Sequence, residues 1–154
     1  MDRVEETCEI CEILKNEKND NYFVMATETG SVFMGWHQYF KGYTLFICNQ
    51  HKTELHFLDN KFKLKFLKEM SMVAEAVYKA FKPEKLNYDL LGNGYPHMHW
   101  HLIPRYKEDL IRKEDVYTHK PDAFRNDKYF APREEIDRLK SKLIIELKEL
   151  FCGD

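Results

Sequence analysis

Residues 95–105 read Tyr-Pro-His-Met-His-Trp-His-Leu-Ile-Pro-Arg, so that three of the seven histidines alternate with apolar residues. A period of two is the period of a β-strand, which predicts that His97, His99 and His101 project from one face of a strand. The apolar residues between them would then face the core. The alternative is a half-buried strand whose polar side carries imidazoles by chance, and strict alternation of three histidines argues against it.

The spacing of these histidines limits what they can do together. Alternate Cα atoms of a strand lie about 6.6 Å apart, which places the outer pair about 13 Å apart. Zinc holds nitrogen ligands at about 2.0–2.1 Å, so His97 and His101 cannot share one ion unless the strand bends sharply. The three histidines are therefore predicted to have different roles.

The composition bounds the class of protein. The 154 residues predict a single domain, residues 1–154, which is large enough to bury a core without disulfides. Twenty-four basic and twenty-six acidic side chains give a formal net charge of −2. Binding to a nucleic-acid polymer requires a broad basic field, which this charge does not supply. An anionic ligand must therefore be bound by local contacts.

The location of the protein is predicted from what its sequence does not contain. Residues 1–8 are polar and acidic, unlike a secretory signal, and no apolar run approaches the roughly 20 residues of a membrane span. A cytoplasmic protein without membrane contact is expected. In a reducing compartment Cys8, Cys11, Cys48 and Cys152 are not expected to form disulfides, and the close pair is better interpreted as metal ligands or redox thiols.

Hydrophobic periodicity predicts an α+β arrangement. An N-cap at Asp59 and apolar residues at helical spacing up to Pro83 indicate one long core helix. Pro132 and the acidic residues after it indicate the start of a C-terminal amphipathic helix. Residues 105–132 show no clear period and are interpreted as a long ordered loop that could cover the site. The predicted strands span 22–27, 31–36, 43–48 and 86–91, and a turn at 92–94 leads through Pro96 into the triad strand.

Two stretches resemble the histidine triad (HIT) family. Residues 97–105 resemble its signature of alternating histidines, and residues 42–51 resemble its glycine, apolar strand and following histidine. The resemblance implies a five-stranded antiparallel sheet with one long core helix, a C-terminal helix from the 105–154 extension, and a homodimer. It also implies a nucleotide hydrolase or nucleotidyl transferase in which the middle histidine, here His99, attacks an α-phosphate.

The residues themselves suit that chemistry. A neutral imidazole is a competent nucleophile near pH 7, and water can hydrolyse the resulting phosphoimidazole. A neighbouring imidazole can donate hydrogen bonds to phosphate oxygens, so His101 is predicted to bind phosphate and to support the leaving group. Asn93 resembles an amide side chain that family members place against the phosphate, and a plain turn asparagine beside Gly94 is the alternative.

Two features depart from the commoner family pattern. Only three residues, 94–96, separate Asn93 from His97, where many members carry a longer glycine-rich phosphate loop. No acidic residue in 35–42 corresponds to the one that often contacts ribose. We therefore expect a thinner phosphate site and leave the nucleoside preference open.

A second resemblance concerns zinc. Some histidine triad proteins bind a structural zinc through an N-terminal Cys-x-x-Cys, a histidine after the central strand and the first triad histidine. The matching residues are Cys8, Cys11, His51 and His97. A Cys₂His₂ set suits structural zinc and would leave His99 free for phosphorus. Two reduced surface thiols are the alternative.

The sequence therefore predicts an enzyme that acts at an α-phosphate of a nucleotide through a covalent nucleotidyl-histidine intermediate. The substrate is expected to be a dinucleoside polyphosphate or a nucleotidyl phosphoramidate. Two alternatives remain open. One is a non-catalytic protein that binds zinc and nucleotide, and the other is a metal-dependent hydrolase in which the triad histidines hold the catalytic ion.

Overall fold

The computed structural model describes residues 7–153. Residues 1–6, whose polar sequence argues against a secretory signal, and residue 154 lie outside the described residues. The helices and strands in chain order are α1 (Glu9–Lys15), β1 (Phe23–Ala26), β2 (Gly30–Met34), β3 (Thr44–Cys48), α2 (Asn60–Phe81), β4 (Lys85–Asp89), β5 (His99–Arg105), α3 (Val116–His119) and α4 (Arg133–Cys152).

The five strands form one antiparallel sheet in the order β1-β2-β3-β5-β4. The predicted α+β class, with a five-stranded sheet, one long helix and a C-terminal helix, is confirmed. In the central pair, Ile47 lies opposite His99 and Leu45 lies opposite His101. None of the helices within the described range has the length and apolar character needed to cross a bilayer.

The long helix α2 packs on one face of the sheet together with α4. The Asp59 side chain caps its N-terminus by accepting hydrogen bonds from two backbone N–H groups of the first turn. Its end at Phe81 is set by Lys82, which takes a left-handed conformation, and by Pro83, which cannot continue a helix. Phe66, fully buried in the core beneath the sheet, is typical of its apolar face.

The alternation predicted for the triad strand holds, although the regular strand is shorter than expected. Met98 and Leu102 are buried in the core that α2 and α4 cover. His99 and Ile103 belong to the opposite face of the sheet, where a second apolar cluster lies. The triad strand was predicted to include His97, but β5 begins at His99 because a tight turn, in which the His97 N–H donates to the Tyr95 carbonyl at 2.8 Å, precedes it.

Residues 106–132, which we name the covering segment, cross the triad face of the sheet. The predicted long loop is ordered by short helices, including α3, and by buried Arg105 at the end of β5. The Arg105 guanidinium donates to Asn87 Oδ1 at 3.0 Å and to the carbonyls of Asp109 and Glu114 at 3.1 and 3.0 Å. This arginine therefore ties the covering segment to strand β4.

Candidate functional site

Four side chains of the types that can bind metals, the Cys8–Cys11–His51–His97 group, converge at one edge of the triad face. Cys8 and Cys11 come from the start of α1, His51 from the loop after β3, and His97 from the turn before β5. Their ligand atoms all lie within 4.8 Å of one another. These four residues are the set named from the sequence, and the fold brings all four together.

The distances within this group fit a tetrahedral ion. His97 Nδ1 lies 3.5 Å from the Sγ atoms of both Cys8 and Cys11, and His51 Nδ1 lies 3.5 Å from Cys11 Sγ. The two Nδ1 atoms are 3.2 Å apart. Bond lengths of about 2.3 Å to sulfur and about 2.0–2.1 Å to nitrogen predict tetrahedral edges of about 3.5 Å and about 3.3 Å. The group could therefore hold a metal ion.

The orientation of His97 also suits a metal ligand. Its Nε2 lies 2.7 Å from the Cys48 carbonyl, which can only accept a hydrogen bond, so the ring proton is on Nε2 and the lone pair is on Nδ1. Burial lowers the pKa of His97, and the Cys48 contact opposes this only in part. The ring is therefore neutral, which is the form that binds metal.

The same argument fixes the proton of His99. Its Nδ1 lies 2.6 Å from the His97 carbonyl oxygen, so Nδ1 carries the proton and donates it. In the neutral ring, the lone pair is then on Nε2. His99 is 8% exposed and lines two cavities, which leaves the side chain reachable by a small molecule although it is nearly buried.

His101 stands beside His99, with ring centroids 4.7 Å apart at 65°. The Nδ1 of His101 is hydrogen bonded to the Tyr43 hydroxyl at 2.6 Å, and the Tyr43 and His101 rings are nearly parallel. Burial, reinforced by the neighbouring His99, lowers the pKa of His101 to about 4, so the ring is neutral at pH 7. Gly35 makes room for Tyr43, because a Cβ there would overlap the tyrosine ring.

Two cavities meet at these imidazoles. The first has a volume of about 340 Å³ and is mainly apolar. Helix α1 forms one wall through Ile10 and Ile13, and Trp36 with strands β2 and β3 forms others. Glu9 is its one acidic lining residue among those described. This cavity has the size and apolar lining of a small-molecule site.

The second cavity, of about 420 Å³, lies against the loop between β4 and β5. Asn93 lines it, as do Gly94 and Tyr95. Among residues 7–153, the backbone N–H groups of these three residues have no hydrogen-bond acceptor. Arg125, from the covering segment, lines the same cavity. Hydrogen-bond donors are therefore concentrated in the second cavity.

Several residues of the site were not identified from the sequence. Tyr43, Ile10, Phe124 and Arg125 line one or both cavities, yet none was assigned a role. Of these, only Tyr43 could have been found from the sequence pattern. Leu45 and Ile47 lie opposite His101 and His99, so alternation places the odd-numbered residues of this stretch, including Tyr43, on the triad face. Trp36 also lines the first cavity.

The sequence of residues 16–108 matches the HIT domain family. This match covers more than half of the 154 residues, and the chain belongs to the histidine triad family. Members of this family are generally nucleotide hydrolases or transferases, which gives the broad class of the protein. No curated protein matches the sequence significantly.

Solved structures of histidine triad proteins share the fold. A hypothetical histidine triad nucleotide-binding protein from Sulfolobus tokodaii superposes with a TM-score of 0.71 at 20% identity, over 96% of this chain and 97% of that chain. A histidine triad protein from Bradyrhizobium japonicum gives 0.69 at 21% identity, over 86% and 94%. A zinc-bound histidine triad family protein from Mycobacterium smegmatis gives 0.67 at 19% identity, over 96% and 98%.

Proposed function

We propose that this protein hydrolyses or transfers the nucleoside monophosphate group of a dinucleoside polyphosphate or a nucleotidyl phosphoramidate, with His99 as the nucleophile. The carrying observation is the 2.6 Å hydrogen bond from His99 Nδ1 to the His97 carbonyl. In the neutral ring that bond keeps the proton on Nδ1 and the lone pair on Nε2, at the junction of the two cavities, where a nucleophile needs it.

In the first step, the lone pair of His99 Nε2 forms a nitrogen–phosphorus bond to the α-phosphate. The bond from phosphorus to the leaving group breaks, and its electron pair departs with the leaving group. The imidazole becomes positively charged. The His97 carbonyl, which accepts the Nδ1 proton, stabilises that charge because the hydrogen bond strengthens as the ring becomes cationic.

His101 supports this step through a hydrogen bond. With Tyr43 donating to Nδ1, the proton of the neutral ring sits on Nε2 and is available to a phosphate oxygen. Asn93 and the nearby backbone N–H groups of the β4–β5 loop supply further donors. They form a short phosphate site in place of a longer glycine-rich loop.

In the second step, a water molecule attacks the phosphorus of the nucleotidyl-histidine. The nitrogen–phosphorus bond breaks, its electron pair returns to His99 Nε2, and the proton of the water passes to solvent. The product is a nucleoside monophosphate. If another nucleophile takes the place of water, the same chemistry is a nucleotidyl transfer.

The group formed by Cys8, Cys11, His51 and His97 is proposed to bind zinc. Two thiolates and two imidazoles make a closed tetrahedral site of the structural type, and the interatomic distances given above support this choice. Bound zinc would fix α1 to the turn before β5. His99 and His101 are not part of this set, which argues against a mechanism in which the triad holds a catalytic ion.

The test is a chemical quench with an α-³²P-labelled dinucleoside polyphosphate. Label trapped on His99 during turnover supports the mechanism, and label on another residue contradicts it. His99→Ala should lose turnover and still bind nucleotide, since it removes the covalent route and few ground-state contacts. A wild-type protein that binds nucleotide but releases no monophosphate would favour the non-catalytic alternative.

A further inference from the structure

The two cavities that meet at His99 differ in charge. The first cavity is lined mainly by apolar side chains and one carboxylate, that of Glu9. The second cavity is lined by Asn93, by Arg125 and by no acidic residue among those described. The phosphorus that His99 attacks joins the nucleoside to the leaving group, and these two parts of a bound substrate extend from it in different directions. The two parts therefore meet different electrostatic surroundings.

Arg125 has its positive charge free for a ligand. Within residues 7–153, no carboxylate lies within ion-pair distance of its guanidinium. Asp89 is engaged elsewhere, because its carboxylate accepts a hydrogen bond from the Tyr117 hydroxyl at 3.2 Å. Burial and Asp89 raise the pKa of Tyr117 to about 12, and Arg125 acts in the opposite direction. Arg125 is therefore near this tyrosine but is not neutralised by an acid.

The covering segment holds Arg125 in place. Phe124, the residue before it, packs against Tyr43 at a ring-centroid distance of 5.0 Å and against Tyr117 at 5.9 Å. Phe124 also lines both cavities. The arginine side chain is exposed, but its backbone is attached to a residue packed beside the triad. Its charge is thus presented at a defined edge of the second cavity.

We infer that the second cavity receives the leaving group, and that Arg125 makes the enzyme select leaving groups that carry negative charge. The chemical class is a polyphosphate, as in a dinucleoside polyphosphate, rather than a neutral amine or alcohol. This inference rests on the proposed function, since a leaving group exists only if His99 attacks phosphorus. A departing polyphosphate gains negative charge, which a guanidinium stabilises by charge-assisted hydrogen bonds.

The experiment compares two substrates with the same adenylyl group. Diadenosine triphosphate has an anionic leaving group, and an adenosine phosphoramidate of a neutral amine does not. Arg125→Gln should lower kcat/KM for diadenosine triphosphate about tenfold, as expected for one lost charge-assisted hydrogen bond, and change the phosphoramidate less than twofold. Arg125→Lys should restore part of the loss, because it keeps the charge without the planar fork.

Arg112→Gln is the matched control, because Arg112 is an exposed arginine of the same covering segment that lines neither cavity. It should leave both substrates unchanged. An equal loss on both substrates in Arg125→Gln would assign Arg125 to the transferred phosphate and overturn the inference. The same loss in Arg112→Gln would show that the effect comes from the overall charge of the covering segment and not from Arg125, which also overturns the inference.

Binding of tripolyphosphate, measured by titration calorimetry on the full-length protein, separates this inference from the proposed function. Arg125→Gln should weaken binding about tenfold and Arg112→Gln should not. If the wild type turns over neither substrate but shows this Arg125-dependent binding, the proposed function fails and the anion site stands. If tripolyphosphate binding does not depend on Arg125, the anion site is wrong whatever the turnover.

Discussion

Tyr43→Phe removes one oxygen atom and tests how the site fixes the proton of His101. The lost contact is the 2.6 Å hydrogen bond to His101 Nδ1, made by a tyrosine that is only 6% exposed. Burial raises the pKa of Tyr43, so its hydroxyl keeps the proton that the proposed role of His101 requires it to donate to Nδ1. The phenyl ring that remains would still line both cavities.

An unpaired buried nitrogen costs about 1–3 kcal/mol, which is the expected loss of folding free energy in Tyr43→Phe. The proton of His101 would no longer be directed to Nε2, so a hydrogen bond to phosphate is weakened in the transition state. A loss of about 1.4 kcal/mol there lowers kcat about tenfold. KM should change little, because the hydroxyl contacts His101 and not the substrate.

Steady-state kinetics and chemical denaturation measure both effects. Tyr106→Phe is the control, since its hydroxyl donates to the Lys41 carbonyl at 2.7 Å and lines neither cavity. It should lose some stability and keep full activity. A Tyr43→Phe variant that is destabilised but has normal kcat would refute the argument that Tyr43 sets the proton position of His101.

Three further predictions use other parts of the structure. His97→Ala should lose the metal and much of the thermal stability, whereas His99→Ala keeps both; equal metal content by elemental analysis would contradict the zinc assignment. Burial lowers the pKa of His101 to about 4, below its unfolded value of about 6.5. The unfolded state then binds more protons between these values, so stability is full above about pH 6.5 and falls by about 3 kcal/mol toward pH 4. Urea unfolding of His101→Gln should show a shallower decline, and parallel curves would refute this. Light scattering should give a homodimer near twice 18.6 kDa, and a monomer at micromolar concentration would exclude it.

The local patterns of the sequence predicted the sheet, the long helix and the position of the triad face. Alternation at 97–102 is a property of neighbouring residues, and so is the cap at Asp59. Simple strand geometry also separated His97 from His101. The two lie in different environments, with His97 beside Cys8, Cys11 and His51 and with His101 beside Tyr43.

The rest of the site depends on contacts between distant parts of the chain. Tyr43 reaches His101 only because β3 and β5 pair in one register, and nothing in residues 42–51 alone fixes that register. Arg125 lies in a stretch without periodicity, and its place is set by the packing of Phe124. From the sequence alone, an isolated arginine in such a stretch cannot be distinguished from a solvated surface residue.

Helix α1 links two parts of the molecule that have been described separately. Its N-cap Cys8 and its residue Cys11 belong to the Cys8–Cys11–His51–His97 group, while Ile10 and Ile13 form a wall of the apolar cavity. A helix of seven residues is too short to be stable without such attachments. The proposed zinc, by holding α1 in place, would therefore raise the affinity of that cavity for a nucleotide. By thermodynamic reciprocity, a nucleotide packed against Ile10 would then strengthen zinc binding by the same factor.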